Sequence, residues 1–203
     1  MPRVFHSVVA ATATILCAQA PAQVEDPGAS GAKPHAKTVK ELIQKQEPFR
    51  VVAELYAKAT PENTRIVVAL ATQRLLLLVG DEACIETPIS SGKSAAPTPV
   101  GAFTVLEKIK AHQSSNYGNF VDRRDRVVRS GVSMKLDVAL PGTHFVGLPM
   151  PCFLRFTDAG FGIHGGMLPG YPAAHGSIRI PDEIAQMIFG KVRVGTRVEI
   201  RAE

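Results

Sequence analysis

The sequence predicts one mainly β domain, a mixed β-sheet or sandwich capped by short helices. Three observations predict this fold class. The chain has 203 residues, of which 45% are hydrophobic, enough for a single core. It contains 15 prolines and 17 glycines, which favour many short elements joined by turns. Its apolar runs are short and rich in leucine and β-branched residues, as is typical of strands.

Residues 1–22 have the features of a secretory signal peptide. Arg3 supplies a positive charge, residues 4–16 are mostly apolar, and small residues follow up to Ala22, where we expect cleavage. The apolar run is shorter than the roughly 20 residues that span a bilayer, so we expect no stable membrane span after processing. Lipid attachment at Cys17 is the disfavoured alternative, because Leu16 before it is not small.

Two segments separate the signal peptide from the predicted domain. Residues 23–37 are rich in Pro, Gly and Ala without periodicity, which indicates a flexible linker. Residues 38–60 carry apolar side chains at helical spacing, interrupted at Pro48, and predict a short helical arm. We expect the arm to pack on the domain; the alternative is a spacer between domain and membrane.

From Arg65 onward the pattern changes from helical to strand spacing. Apolar runs at hairpin-like intervals predict strands over 66–71, 75–79 and 85–89. A Thr-Pro-Val-Gly turn at 98–101 precedes a predicted strand over 103–109.

The second half of the domain has its own turn and strand signals. Residues 111–138 combine turn residues with dense mixed charge and predict an exposed hairpin, or alternatively a lid beside a binding groove. Acidic residues and one apolar face predict a helix over 181–189. A closing strand is expected over 196–201.

Charge and cysteine usage narrow the function classes. The formal net charge is +5, but the basic residues are scattered and no nucleic-acid-binding motif is present, so we expect no nucleic-acid partner.

Cys84 and Cys152 lack Cys-x-x-Cys or His-spaced patterns, which disfavours redox and structural zinc sites. Each lies in an apolar stretch, so we expect two free buried thiols; a disulfide is the alternative in an exported protein.

Two motifs carry a family resemblance. Residues 164–179 read HGGMLPGYPAAHGSIR, and residues 90–103 contain SSGK followed by TPVGAF. The first resembles the signature of the peptidoglycan L,D-transpeptidase catalytic domain (YkuD type), a histidine, a glycine-rich loop and Ser-His-Gly-Cys-x-Arg. The second resembles the S-x-G-K and T-P-x-G-x-F segments of the same family. The resemblance covers residues 65–201 and implies an L,D-transpeptidase-like catalytic domain there.

One departure from the family pattern affects the chemistry directly. Ser177 stands where the family has its catalytic cysteine, and Ala174 where it usually has Ser or Thr. The resemblance makes Ser177 the nucleophile and His164 the general base. A cysteine can be ionised to a thiolate before the substrate binds, whereas a serine loses its proton only during the attack. Proton transfer from serine therefore requires a third group that orients the imidazole of the base. Asp158 is the nearest upstream acid, but nothing in the sequence places it against His164.

Other residues receive binding roles. The turn at His175 and Gly176 can present backbone N–H groups as an oxyanion hole. Arg179 can hold a substrate carbonyl or carboxylate, or pin the loop. Tyr171 and Tyr117 are assigned to substrate binding.

The resemblance implies an exported peptidoglycan L,D-transpeptidase that forms an acyl-enzyme on Ser177 and acts in cell-wall biogenesis and cell shape. We expect peptide stems as partners, no cofactor, a monomer, and a location in the periplasm or cell wall. The alternatives are a catalytically inactive peptidoglycan-binding protein and a hydrolase (L,D-carboxypeptidase) on the same bond. A zinc peptidase using His144, His164 and His175 is disfavoured because no HExxH spacing exists.

Overall fold

The computed structural model describes residues 45–203. The predicted signal peptide (1–22), the linker (23–37) and residues 38–44 of the predicted arm lie outside the described residues. The elements within 45–203, in chain order, are β1 (Arg50–Val51), α1 (Ala53–Lys58), β2 (Thr64–Ala69), β3 (Arg74–Val79), β4 (Glu82–Pro88), β5 (Gly101–Thr104), β6 (Glu107–Val121), β7 (Val127–Ser133), β8 (His144–Arg155), β9 (Gly162–Gly165), β10 (Ile178–Ile180), α2 (Asp182–Lys191) and β11 (Arg197–Arg201).

The first sheet has six strands in the order β1-β4-β3-β2-β11-β5. It is mixed, because β11 runs parallel to β2 and antiparallel to β5. The last strand shows why the chain folds this way. Val198 and Ile200 are buried, whereas Glu199 between them and the flanking Arg197 and Arg201 are exposed, so alternation places one face against the core.

The second sheet has five strands in the order β10-β9-β8-β6-β7. Its short strands β9 and β10 run parallel, and the other pairs are antiparallel. The parallel pairing aligns Arg179 with His164. Two residues that lie fifteen positions apart in the sequence therefore become neighbours at one end of this sheet.

One hydrophobic core joins both sheets and α2. Ile184, Ala185 and Ile188 supply the buried face of the helix. The helix end is fixed by Lys108, whose Nζ donates hydrogen bonds to the carbonyls of Phe189 and Val192. Burial lowers the pKa of this Lys108 ammonium. The predicted mainly β class with mixed sheets and short capping helices is confirmed.

The predicted helical arm is only partly helical within the described residues. Arg50 and Val51 pair with Glu86 and Ile85 as an edge strand instead of continuing a helix. The helix that follows, α1, has six residues and no side-chain hydrogen bond at its N-cap. Pairing with the open edge of β4 satisfies backbone groups that an isolated short helix would leave exposed to water.

The predicted strand over 103–109 is two strands in different sheets. Val105 donates a backbone hydrogen bond to Thr196, whereas Leu106 donates to Arg155, so the chain changes sheets between these residues. A continuous apolar pattern cannot reveal such a crossing, since both sheets bury their strands against one core. The hairpin predicted over 111–138 is present as the β6–β7 pair.

Two further observations concern the cysteines and the helices. Cys84 and Cys152 are buried and unbridged, as predicted. Neither helix within residues 45–203 combines the length and apolar character needed to cross a membrane.

Candidate active site

The chain between β9 and β10 forms a loop that returns to the sheet beside its own starting strand. His164 lies on β9 and is 6% exposed, and Ser177 directly precedes β10 and is 9% exposed. Because the two strands run parallel, Ser177 and Arg179 return next to Gly162 and His164. The structure therefore brings together the four residues His164, His175, Ser177 and Arg179 that the sequence singled out.

The ring of His164 is oriented by a backbone carbonyl. Its Nδ1 lies 2.7 Å from the carbonyl oxygen of Gly165. A carbonyl only accepts hydrogen bonds, so Nδ1 carries the proton and Nε2 is left as an acceptor. Asp158 does not take this orienting role, since it is fully exposed and lies 4.0 Å from Arg155.

The environment of His164 favours the neutral imidazole. Burial, opposed by the hydrogen bond to Gly165 and assisted by the nearby charges of Arg179 and His112, lowers the pKa of His164 to about 4. A neutral ring at neutral pH can accept a proton. Its low basicity makes it a weak base, because general-base efficiency rises as the pKa approaches the working pH.

The Ser177 hydroxyl has a partner other than histidine. Its Oγ accepts a hydrogen bond from the backbone N–H of Gly162 at 3.2 Å. Among the described residues, it makes no hydrogen bond to His164. The hydroxyl oxygen is thus held against the strand two residues before the histidine, while its own proton stays available for donation to Nε2 once the two groups come within hydrogen-bond distance.

Backbone N–H groups around the serine are available to a ligand. Within residues 45–203, the N–H groups of Gly176 and Ser177 have no hydrogen-bond acceptor. Gly176 has φ of +95°, and a Cβ there would lie 2.5 Å from the ring of Phe161. Only glycine fits this turn, and the turn presents two donors in the arrangement expected of an oxyanion hole.

Arg179 holds the loop through its backbone and leaves its side chain available. Its N–H and carbonyl exchange hydrogen bonds with Ser90, at 3.0 and 2.9 Å. Its guanidinium is half-buried, and burial lowers its pKa. In the described part of the chain this guanidinium has no ion pair and no hydrogen bond. Its free donors suit an anionic group of a ligand better than the pinning of the loop.

The β6–β7 hairpin contacts the loop through Tyr117. The ring of Tyr117 stacks on His175, with centroids 4.1 Å apart. Burial, followed by the charges of Lys93 and Arg179, lowers the pKa of His175. Tyr171 lies at the surface of the same loop, 39% exposed. Both tyrosines thus lie on the loop that carries Ser177 or directly against it.

The sequence did not identify the segment that supports this loop from below. Residues 90–93 pair with it through bridges that join Ser90 to Arg179 and Gly92 to Ala174. The S-x-G-K motif in this segment served only as a marker of family resemblance. The residues that pair with it, Ala174 and Arg179, lie more than 80 positions away, and the motif itself does not indicate them.

The described residues show no metal-binding cluster, and a sizeable cavity among them lies away from this loop. They contain no group of three or more His, Cys, Asp or Glu that could hold a metal ion. A cavity of about 740 Å³ lies elsewhere, bordered by Phe103, Phe156, Arg65 and Arg197, and includes none of the predicted site residues. The candidate site thus combines the buried His164 and Ser177 with Tyr171 at its surface.

Comparison with known proteins gives both a family and a fold. Residues 63–200 match the family model described as YkuD, L,D-transpeptidase catalytic domain. An L,D-transpeptidase from Mycobacterium smegmatis has a similar structure, with a TM-score of 0.52 and 21% identity over 69% of this chain and 59% of that chain. L,D-transpeptidase 3 from Mycobacterium tuberculosis gives a TM-score of 0.50 and 18% identity over 68% of this chain and 61% of that chain.

These structural likenesses establish the fold. The chain covers less than two thirds of the length of either solved structure. No curated protein matches it.

Proposed function

The chain belongs to the YkuD family of L,D-transpeptidase catalytic domains, and we propose that it transfers an acyl group from a peptidoglycan peptide stem through Ser177. The observation that carries the proposal is the orientation of His164. The hydrogen bond from Nδ1 to Gly165 leaves Nε2 free to accept a proton, beside a serine on a turn with two unpaired N–H groups.

In the proposed first step, Ser177 Oγ attacks the carbonyl of the amide that joins stem residues three and four. The hydroxyl proton moves to His164 Nε2, and the N–H groups of Gly176 and Ser177 stabilise the negative oxygen that forms. The amide C–N bond then breaks, and the leaving amine takes the proton from His164. The result is an ester between Ser177 and the donor stem.

In the second step, the amine of an acceptor stem attacks this ester. His164 accepts the proton of the attacking amine and returns it to Ser177 Oγ as the C–O bond breaks. The products are a new amide between two stems and the original enzyme. If water takes the place of the amine, the same steps release a shortened stem, as in an L,D-carboxypeptidase.

The residues present favour a slow reaction. Serine is not ionised before attack, so proton transfer and bond formation must occur together. The acceptor is a histidine whose pKa is about 4, which weakens the driving force for this transfer. In addition, Ser177 Oγ makes no hydrogen bond to His164 among the described residues, so the two groups must approach each other before the proton moves.

A second function is supported by the absence, among the described residues, of a hydrogen bond between Ser177 and His164. With the serine hydroxyl unpaired to its base, the loop can bind peptidoglycan without turnover. In this alternative the protein is a catalytically inactive wall-binding member of the family. The free guanidinium of Arg179 and the exposed Tyr171 would serve binding in either case.

We further propose that the protein works outside the cytoplasm, in the periplasm or cell wall, as a monomer. Residues 1–22 support export through their signal-peptide pattern. Peptide stems carry carboxylates, and a net charge of +5 favours attraction to an anionic wall polymer.

The test uses purified protein and muropeptides with tetrapeptide stems, followed by mass spectrometry. Wild type is expected to give slow transfer or hydrolysis, and Ser177→Ala and His164→Ala to give none. Ser177→Cys is expected to raise the rate, because a thiolate removes the need for concerted proton transfer. Equal turnover by wild type and Ser177→Ala, with both still binding intact sacculi, would reject the nucleophile and support the wall-binding alternative.

A further inference from the structure

Ser90 lies beneath the catalytic loop and is completely buried. It follows β4 and forms an antiparallel bridge with Arg179. The Ser90 N–H donates to the Arg179 carbonyl at 2.9 Å, and the Arg179 N–H donates to the Ser90 carbonyl at 3.0 Å. The backbone of Ser90 therefore fixes the chain just after the nucleophile.

The side chain of Ser90 fixes the chain just before the nucleophile. Its Oγ donates a hydrogen bond to the Tyr171 carbonyl at 2.8 Å and accepts one from the Ala173 N–H at 3.2 Å. A hydroxyl is suited to this position because it can donate and accept at once. Four hydrogen bonds from one residue thus hold both ends of the segment that contains His175, Gly176 and Ser177.

The residues after Ser90 extend this support along the loop. The Ser91 carbonyl accepts from the Ala174 N–H at 2.9 Å, and the Lys93 N–H donates to the Ala174 carbonyl at 3.0 Å. Gly92 permits close approach, since a Cβ there would lie 2.9 Å from the Gly176 nitrogen. The backbone of residues 90–93 thus supports the turn that carries the N–H groups of Gly176 and Ser177.

We propose that Ser90 is a positioning residue for the reaction, which acts by fixing the loop that presents Ser177 and the N–H donors of Gly176. The inference rests on the proposed function of that loop. Catalytic geometry is lost when groups shift by about 1 Å, so a clamp on both sides of the nucleophile affects turnover more than binding.

Removal of the hydroxyl has a defined structural consequence. Ser90→Ala leaves the Ala173 N–H and the Tyr171 carbonyl without their partner in a partly buried location. Polar groups that lose a partner away from bulk water are costly, and the loop is expected to move in order to regain hydrogen bonds. We expect kcat to fall about tenfold or more, with KM little changed.

The chain offers a matched control in the neighbouring serine. Ser91 is 4% exposed, and its Oγ accepts a hydrogen bond from Gln73 Nε2 at 2.8 Å. This side chain makes no hydrogen bond to residues 171–179. Ser91→Ala therefore removes another buried hydroxyl while the hydrogen bonds of the Ser90 side chain to the loop stay in place.

The test avoids dependence on peptidoglycan turnover by using Ser177→Cys as a reporter. The rate of alkylation of Cys at position 177 is measured against pH, with peptide mapping to separate it from Cys84 and Cys152. We expect Ser90→Ala, added to Ser177→Cys, to raise the apparent pKa of the thiol at position 177 toward the ordinary value of about 8.5 and to lower the rate of alkylation at neutral pH about tenfold.

The controls are made in the same Ser177→Cys background. Ser91→Ala is expected to leave the pH profile of alkylation unchanged, and Ser90→Thr, which keeps the hydroxyl, to restore the profile in part. Identical profiles for the Ser90→Ala and Ser91→Ala variants overturn the proposal, whatever the protein does to muropeptides.

A second measurement uses the unaltered chain and so does not depend on a variant that folds. Amide hydrogen exchange is expected to be slow at Ala173 and Arg179, whose N–H groups donate to Ser90, and fast at Gly176 and Ser177. Fast exchange at Ala173, at the rate of Gly176, would show that the clamp does not form and would refute the role of Ser90.

Discussion

The ring of Tyr117 stacks on the ring of His175, with centroids 4.1 Å apart and planes at 21°. Tyr117 belongs to β6, whereas His175 belongs to the loop with Ser177. The stack is a contact between the long hairpin and the candidate catalytic loop. It connects a segment that the sequence marked only as an exposed hairpin, or a lid, to the site itself.

The first prediction concerns this stack. Tyr117→Ala is expected to lower kcat/KM about fivefold, because an aromatic pair contributes about 1 kcal/mol beyond its buried area. Stem-peptide turnover measures the effect, or binding to sacculi if the protein does not turn over. Tyr117→Phe keeps the stacked ring, so an equal loss with both variants would assign the effect to the hydroxyl and contradict the prediction.

The second prediction concerns stability against pH. The folded pKa of His164, about 4, lies below its ordinary value of 6.5. The unfolded chain therefore binds more protons between these values, and stability that is present above pH 6.5 is lost as the pH falls toward 4. The free energy of unfolding falls by an amount on the order of 3 kcal/mol. Denaturant unfolding measures this free energy across the pH range, and it should depend less on pH in His164→Gln than in wild type. Parallel curves of unfolding free energy against pH would contradict the assignment.

The third prediction concerns the turn at Gly176. Gly176→Ala is expected to lower turnover more than a hundredfold, because a methyl group would collide with Phe161 and move the N–H donors. Gly195→Ala is a matched control, since Gly195 also has positive φ, +88°, but no atom lies within 4 Å of its Cβ position. Both variants carry backbone strain, so equal losses of activity would trace the effect to strain alone.

The fourth prediction concerns export. The signal-peptide pattern predicts that the mature protein begins at or near Gln23. N-terminal sequencing of the exported species measures this directly. An intact Met1 or Pro2 on that species, or membrane retention through an acylated Cys17, would refute it.

The sequence was sufficient for the fold class and for the approximate positions of several strands, among them β2, β3, β4 and β11. The alternating burial of β11, in which Val198 and Ile200 point inward, follows from the local periodicity of the sequence. It can be predicted without knowing which strands pair with β11. The same locality explains the errors. Val51 carries an apolar side chain at helical spacing, but in the structure it belongs to β1, which pairs with the open edge of β4. The change of sheets at Val105 has no local signal, because both sheets bury apolar residues against one core.

For the candidate site, the sequence by itself determined which residues belong to the loop, through the motif from His164 to Arg179. Only the tertiary structure decided their partners: the Gly165 carbonyl for His164, the Gly162 N–H for Ser177, and Ser90 beneath the loop. The physical reason is that a hydrogen bond depends on the distance and direction between two groups in space. Residues 90 and 171 acquire that relationship only when the strands that carry them have packed together.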